Sequence, residues 1–169
     1  MPVSRNRPAQ PPTDLPLLTP PAPPLETFTF NTPSRKLITA HDLKLFQSSS
    51  THSLLLSFTM DLNNAVLNLA NSATVPISPV VRVLLEILDR VDATVDEFPP
   101  EDVGLSRFGN KAFQRFYDAL WERSAEWHAV LHVPPEARDE AARYFCEAWG
   151  NRTRIDYGSG HELNFLAWM

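Results

Sequence analysis

Nine consecutive residues, Arg154-Ile155-Asp156-Tyr157-Gly158-Ser159-Gly160-His161-Glu162, hold most of the groups in this chain that are equipped for chemistry. Gly158-Ser159-Gly160 stands where an apolar helical stretch begins, and a glycine turn there can act as an anion site. Unpaired backbone N–H groups point out of the helix end, and the glycines let a phosphate approach closely. Arg154 can complete such a site, and Arg107 can join it if the Arg107–Asn110 loop folds back alongside. The alternative is a capped turn that binds nothing, because short glycine turns before helices are common. Asp156, His161 and Glu162 offer three ligands within seven residues for a hard cation such as magnesium, above all beside a bound phosphate. Against this, His161 and Glu162 are neighbours on a helix and point in different directions. Glu162 can instead be the reciprocal partner of Ser159 in a capping box, and Asp156 can pair with Arg154 or Arg107. Zinc is not expected, since no second histidine or cysteine stands at ligand spacing.

Elsewhere the chemistry thins out. No Ser/His/Asp or Cys/His arrangement has persuasive spacing, and no Walker-type glycine loop with its lysine occurs. His128 and His132 are four apart and share one side of a helix, as a solvated or core-edge pair. Cys146 is the one cysteine and cannot close an internal disulfide. Its apolar helical surroundings fit a small buried hydrophobe. Fifteen Lys and Arg against twenty Asp and Glu leave a net charge of −5, with the basic residues scattered. That balance speaks against a nucleic-acid-binding face. No signal peptide is visible, and no run of about 18 apolar residues could span a membrane. The expected setting is cytoplasmic or nuclear, with neither nucleic acid nor membrane as partner.

The elements that must position these groups read as helices, and 169 residues suffice for one ordinary domain. Ten of the sixteen prolines fall between Pro2 and Pro33, so residues 1–31 are expected to form a disordered proline-rich tail. Pro20-Pro21-Ala22-Pro23-Pro24 can bind an aromatic groove on a partner or serve as a spacer. The fold is expected to begin near Leu25 to Lys36. Thr39 or Asp42 caps a short helix through Phe46, broken by Ser48-Ser49-Ser50. Leu55, Phe58, Leu62 and Leu69 then share a helical face. Ser78-Pro79 starts a helix whose valines, leucines and Ile87 cover most of its circumference, so it is expected to be central. A long helix should run from about Lys111 to Leu131, with Phe113, Phe116, Leu120, Trp127 and Leu131 inward. Pro134-Pro135 leads into another from about Glu136 to Trp149, closed by Gly150. Only Thr27-Phe28-Thr29-Phe30 alternates like a strand. The fold class is all-α. A last helix is expected to start at Gly160, capped by Ser159 and Glu162, and it stops after about two and a half turns. Those turns are apolar nearly all round, so the chain reads as truncated.

Two stretches carry a family resemblance. Arg107-Phe108-Gly109-Asn110-Lys111-Ala112-Phe113 resembles the RFGN-x-A-[YF] signature of the phosphotyrosyl phosphatase activator family, also called protein phosphatase 2A activator. Gly150 through Glu162 resembles its GN-x-TRIDYG-[TS]-GHE signature. Pro33-Ser34-Arg35-Lys36-Leu37-Ile38, Phe46-Gln47-Ser48-Ser49 and Asp96-Glu97-Phe98-Pro99-Pro100 look like further family positions in the right order. The resemblance makes residues 32–169 the N-terminal portion of the activator domain, a helical fold of core, linker and lid parts around a cleft.

The resemblance implies ATP and magnesium as cofactors and the protein phosphatase 2A catalytic subunit as partner. It also implies peptidyl-prolyl cis-trans isomerase activity on a proline-containing peptide segment. Arg107, Lys111 and Phe113 match the motif associated with nucleotide binding. Asp156, Gly158, Gly160, His161 and Glu162 match the cleft motif associated with nucleotide, magnesium and peptide contacts. On that basis Asp156, Tyr157 and Glu162 are the expected catalytic residues, and Asp156 and Glu162 the expected metal ligands. Arg107, Lys111, Phe113, Gly158, Ser159, Gly160 and His161 are expected to bind the cofactor. The alternatives are a non-catalytic, nucleotide-dependent assembly chaperone of the phosphatase, or an inactive truncated fragment.

Overall fold

The computed structural model describes residues 18–102, 104 and 109–169. Among the described residues, six α-helices and two short 3-10 helices, Leu25–Thr27 and His128–Val130, make up the regular structure. No strand occurs among them; an isolated antiparallel bridge pairs Asn151 with Asp156. Thr27 closes a 3-10 turn, and the phenylalanines after it, Phe28 and Phe30, stack at 6.0 Å, so this stretch is not the strand its alternation suggested. The described residues divide into two compact units, one of 18–27 with 35–76, the other of 28–34 with the described part of 77–169.

In the first unit, α1 (Ala40–Gln47) opens with the expected cap. Thr39 Oγ1 accepts from the Asp42 N–H at 3.2 Å, while Asp42 Oδ2 accepts from the Thr39 N–H at 2.8 Å, a complete capping box. α2 (Ser50–Val66) is capped by Ser49, which accepts from the His52 N–H at 3.2 Å. Leu55, Phe58 and Leu62 are half-buried on one face, but the helix ends at Val66 and leaves Leu69 outside the stripe. The chain is already engaged at Leu18, upstream of the expected start near Leu25, because Asp61 on α2 holds it there. The tail expected over 1–31 falls in part, up to residue 17, outside the described residues.

The second unit holds the core. Ile87 and Val91 of α3 (Pro79–Glu97), Leu120 and Trp127 of α4 (Ala112–Trp127), Phe145 and Cys146 of α5 (Pro135–Glu147), and Trp168 of α6 (Ser159–Trp168) pack together. Ser78 caps α3 through the Val81 N–H, with Pro79 at its first position. α3 is not central: it buries one face of Ile87, Val91 and Thr94, while Val80, Val81, Leu85 and Val95 stay exposed. α4 is shorter than expected at both ends, and its last turn tightens into the 3-10 helix His128–Val130 before the Pro134-Pro135 turn. His128 is fully buried and His132 lies beyond the helix, exposed, so the two do not form a solvated pair. Cys146 is buried as expected, and burial pushes its thiol up from the ordinary value.

Candidate functional site

The site is built on the loop from Gly150 to Gly158, which links α5 to α6. Gly150 has φ +123, and a Cβ there would lie 2.9 Å from the Asp156 carbonyl oxygen and 3.1 Å from Phe113 Cζ. Only glycine suits both the backbone angle and the space. Asn151 then closes the loop on itself. Its N–H donates to the Asp156 carbonyl at 2.9 Å, its carbonyl accepts from the Ile155 N–H at 2.8 Å, and its Oδ1 accepts from the N–H groups of Thr153 and Arg154. The closure forces Ile155 to φ +52, a left-handed position that a β-branched side chain rarely adopts. Such strain costs about 1–3 kcal/mol and persists only where surrounding contacts over-determine it.

Those contacts come from the start of α4. Gly109 lies so close to Ile155 that a Cβ on it would stand 2.6 Å from the Ile155 carbonyl oxygen and collide with the Ile155 side chain. Gln114 Nε2 donates to the Arg152 carbonyl at 3.1 Å, and Arg152 grips the Asp118 carboxylate with two N–H groups. The Arg152 hydrogen bonds, more than its charge alone, hold the Asp118 carboxyl below the usual range. Asn110 ties the approach to α4, accepting from the Ala112 N–H at 3.0 Å and donating to the Glu101 carbonyl at 2.7 Å. The described part of the first motif stretch, from Gly109, and the second stretch therefore form one surface although distant in sequence.

The expected site residues occupy that surface unevenly. Arg107 lies outside the described residues. Lys111 is exposed at the N-cap of α4, while Phe113 is half-buried, its ring 6.2 Å from Phe116 and 6.1 Å from Tyr117, and walls the Gly150 turn. Asp156 is held by Arg154 at 2.7 and 3.2 Å, and that hydrogen bonding lowers its carboxyl below the ordinary value. It is a carboxylate at neutral pH, not a proton donor. Tyr157 is 59% exposed and its ring stacks on His161 at 5.6 Å. His161 Nδ1 lies 2.6 Å from the Glu147 carbonyl. A carbonyl only accepts, so Nδ1 carries the hydrogen and Nε2 is left for another partner.

The expected capping box at α6 does not form. Gly158, extended at φ −166, is the N-cap, and no side chain caps the helix. Ser159 is thereby drawn into the first turn, and Glu162 is shifted one position beyond reciprocal reach. Glu162 is exposed, and Gly158 and Gly160 have nothing within 4 Å of where a Cβ would stand. The helix start is open, with its positive end and the Ser159 and Gly160 N–H groups facing outward. Among the described residues, no group of three His, Cys, Asp or Glu is placed to hold a metal ion.

Beside this open turn runs a groove of about 610 Å³, lined by Leu88, Val91, Asp92 and Val95 of α3 with Ala148, Trp149, Tyr157 and Phe165. Trp149 Nε1 is buried without a hydrogen-bond partner. The α3 wall and Trp149 were not anticipated as site residues. Their signal was present in the breadth of the apolar surface of α3, which serves the core with one face and the groove with the next.

An open helix start beside an aromatic-edged apolar groove, braced by a strained loop on a second helix, places this chain among all-helical proteins. The chain belongs to the family described as phosphotyrosyl phosphate activator (PTPA) protein, which it matches over residues 33–169. It is similar to serine/threonine-protein phosphatase 2A activator 2 of Neurospora crassa, 43% identical over 155 residues, covering 89% of this chain and 34% of that protein. The protein of the same name from Schizosaccharomyces pombe is 45% identical over 137 residues, covering 81% of this chain and 39% of the relative. The crystal structure of the PP2A phosphatase activator Ypa1 superposes with a TM-score of 0.73 at 29% identity, covering 83% of this chain and 46% of that one. The chain thus spans between a third and a half of the length of these relatives.

Proposed function

We propose that this chain forms one wall of a cleft through which a phosphatase 2A activator engages the phosphatase catalytic subunit. The observation that carries this reading is the seating of Gly109 against Ile155, which joins the two family motifs into one surface. A proline-containing segment of the phosphatase would lie in the groove of Val95, Trp149, Tyr157 and Phe165. Nucleotide phosphates would sit at the Ser159 and Gly160 N–H groups, with Lys111 and Arg154 as cations within the same surface.

The residues fit ATP and magnesium in part. The open glycine turn admits a phosphate, because no side chain stands over it. Magnesium commonly takes one or two carboxylates beside substrate phosphates, so Asp156 and Glu162 are the residues that would hold it. Bound there, the ion would neutralise phosphate charge. Arg154, now paired with Asp156, is the cation for which a phosphate would compete.

Prolyl isomerisation needs no nucleophile. Its barrier of about 18–20 kcal/mol falls when the amide is desolvated and its twisted form is held. Tyr157 and Trp149 can supply an apolar, water-excluding edge for that purpose. The pairing of Asp156 with Arg154 favours a role in positioning over proton transfer, and equally suits a chaperone that clamps a phosphatase loop without turnover.

Calorimetry with ATP and magnesium on the purified chain tests the nucleotide half. Saturable binding weakened by Arg154→Ala is expected; a folded chain that binds no nucleotide would sink it. Phosphatase activation and proline-peptide isomerisation, measured with Tyr157→Ala, separate the enzyme from the chaperone. Loss of isomerisation with activation retained would favour the chaperone.

A further inference from the structure

Part of the proline-rich stretch is strapped onto α2. Leu18 donates its backbone N–H to Asp61 at 2.9 Å from Oδ1 and 3.1 Å from Oδ2, and Thr19 donates to Oδ2 at 2.7 Å. These are charge-assisted bonds, and hydrogen bonding, first from the Thr19 side chain and then from the Leu18 N–H, keeps the Asp61 carboxyl below its ordinary value. Pro20 and Pro21 follow, with no N–H to satisfy. They share a groove of about 610 Å³ with Thr19, Phe58, Asp61, Leu62 and Ala65. The four α2 residues recur at three, four and seven positions from Phe58, one continuous helical stripe.

The chemistry of this groove defines its ligand. The carboxylate takes two successive free N–H groups, and the apolar stripe takes a segment that donates no more. A chain of the form X-X-Pro-Pro meets both requirements, and its extended conformation is largely fixed before binding. The strap is also an imperfect tenant. Leu18 is 55% exposed, and the groove keeps open volume beside the strap. A competing segment that fills that volume and buries its leading side chain gains apolar burial that the strap does not.

We propose that the α2 face around Asp61 is a binding site for extended X-X-Pro-Pro segments, occupied in cis by Leu18–Pro21 and opened when a proline-rich segment of a partner protein displaces that strap. The site is independent of the groove and glycine turn assigned above.

The test uses the full chain and a fluorescently labelled synthetic peptide with the sequence of residues Pro16–Pro24. Leu18→Pro combined with Thr19→Pro removes both donors from the strap and leaves α2 untouched. Polarisation should show the peptide binding this variant about tenfold more tightly than the wild-type chain, because the cis segment no longer competes at its high effective concentration. Adding Asp61→Asn should abolish that binding, as should placing prolines at the two donor positions of the peptide. The proposal is overturned if the double-proline variant, with unchanged helical circular dichroism, binds no peptide. It is equally overturned if binding ignores Asp61→Asn or is the same with and without the strap. A wild-type dimer dissolved by the two proline substitutions would give the groove to a second copy and overturn the partner assignment.

Discussion

Trp168 donates its indole N–H to His128 Nε2 at 2.8 Å, closing the core across forty positions of sequence. The other ring nitrogen, Nδ1, lies 2.6 Å from the Ser124 carbonyl. An indole only donates and a carbonyl only accepts, so the ring must be neutral with its hydrogen on Nδ1. Burial pushes the His128 pKa below its ordinary value, with the Ser124 bond opposing more weakly. The unfolded chain therefore binds this proton more readily than the folded one. Stability contributed here is present above the ordinary histidine value of about 6.5 and declines as pH falls below it. Denaturant melts of the wild type should show that decline, and His128→Ala should flatten it. The same substitution should cost about 2–4 kcal/mol at pH 7.5, from the cavity and the orphaned indole N–H. An unchanged acid slope in the variant would assign the decline to other groups.

Gly109 and Ile155 give the second prediction. A methyl at Gly109 meets both the Ile155 side chain and its carbonyl, and the loop is already strained. Gly109→Ala should destabilise by about 1–3 kcal/mol, as overpacking does. Because the carbonyl clash survives when the side chain is trimmed, Ile155→Ala added to it should recover only part of the loss. Urea midpoints of the two single variants and the double variant give the coupling. Simple additivity would mean that the two residues do not meet.

Much of this arrangement was legible in the chain. Thr39 and Ser78 announce helix starts through bonds made to the N–H three residues on, and such local signals survive in any context, whereas Gly150, expected to close α5, stands beyond its C-cap at Ala148. Ser159 shows the limit of that reading. Ser159 and Glu162 have capping-box spacing, yet Gly158 takes the N-cap and moves both residues inward by one. The burial of His128 depends on Trp168, and the left-handed Ile155 depends on Gly109; both are set by partners far along the chain. The strap on Asp61 escaped notice for the same reason, since a carboxylate serving as receptor for distant backbone N–H groups leaves no local pattern.

Gly150→Ala supplies a third prediction, with an internal control. At φ +123 an alanine is strained whatever the space, and here its methyl also meets the Asp156 carbonyl. A loss of about 1–3 kcal/mol is expected. The neighbouring Arg152–Asp118 pair looks the more prominent feature of the loop, but both side chains are nearly half exposed. Ion pairs in water contribute little, so Arg152→Ala should shift the unfolding midpoint much less than Gly150→Ala. The reverse order would show that the loop is held by charge and not by backbone fit.

Tyr157 separates binding from folding. Tyr157 is 59% exposed, its ring stacks on His161, and it is not part of the core of Phe145, Leu120 and Trp168. Tyr157→Ala should change stability by less than about 0.5 kcal/mol. The same substitution strips the aromatic edge from the groove shared with Trp149 and Val95. Truncating an aromatic anchor commonly costs a binding partner about 2 kcal/mol or more, a loss of roughly thirtyfold. Calorimetric titration with a proline-containing peptide, set beside the thermal melt of the same sample, reads both quantities at once. Weakened binding with an unchanged melt places the peptide against Tyr157. Equal affinity in both proteins would move the peptide off this groove, and the proposed cleft wall would then lose its ligand-facing side.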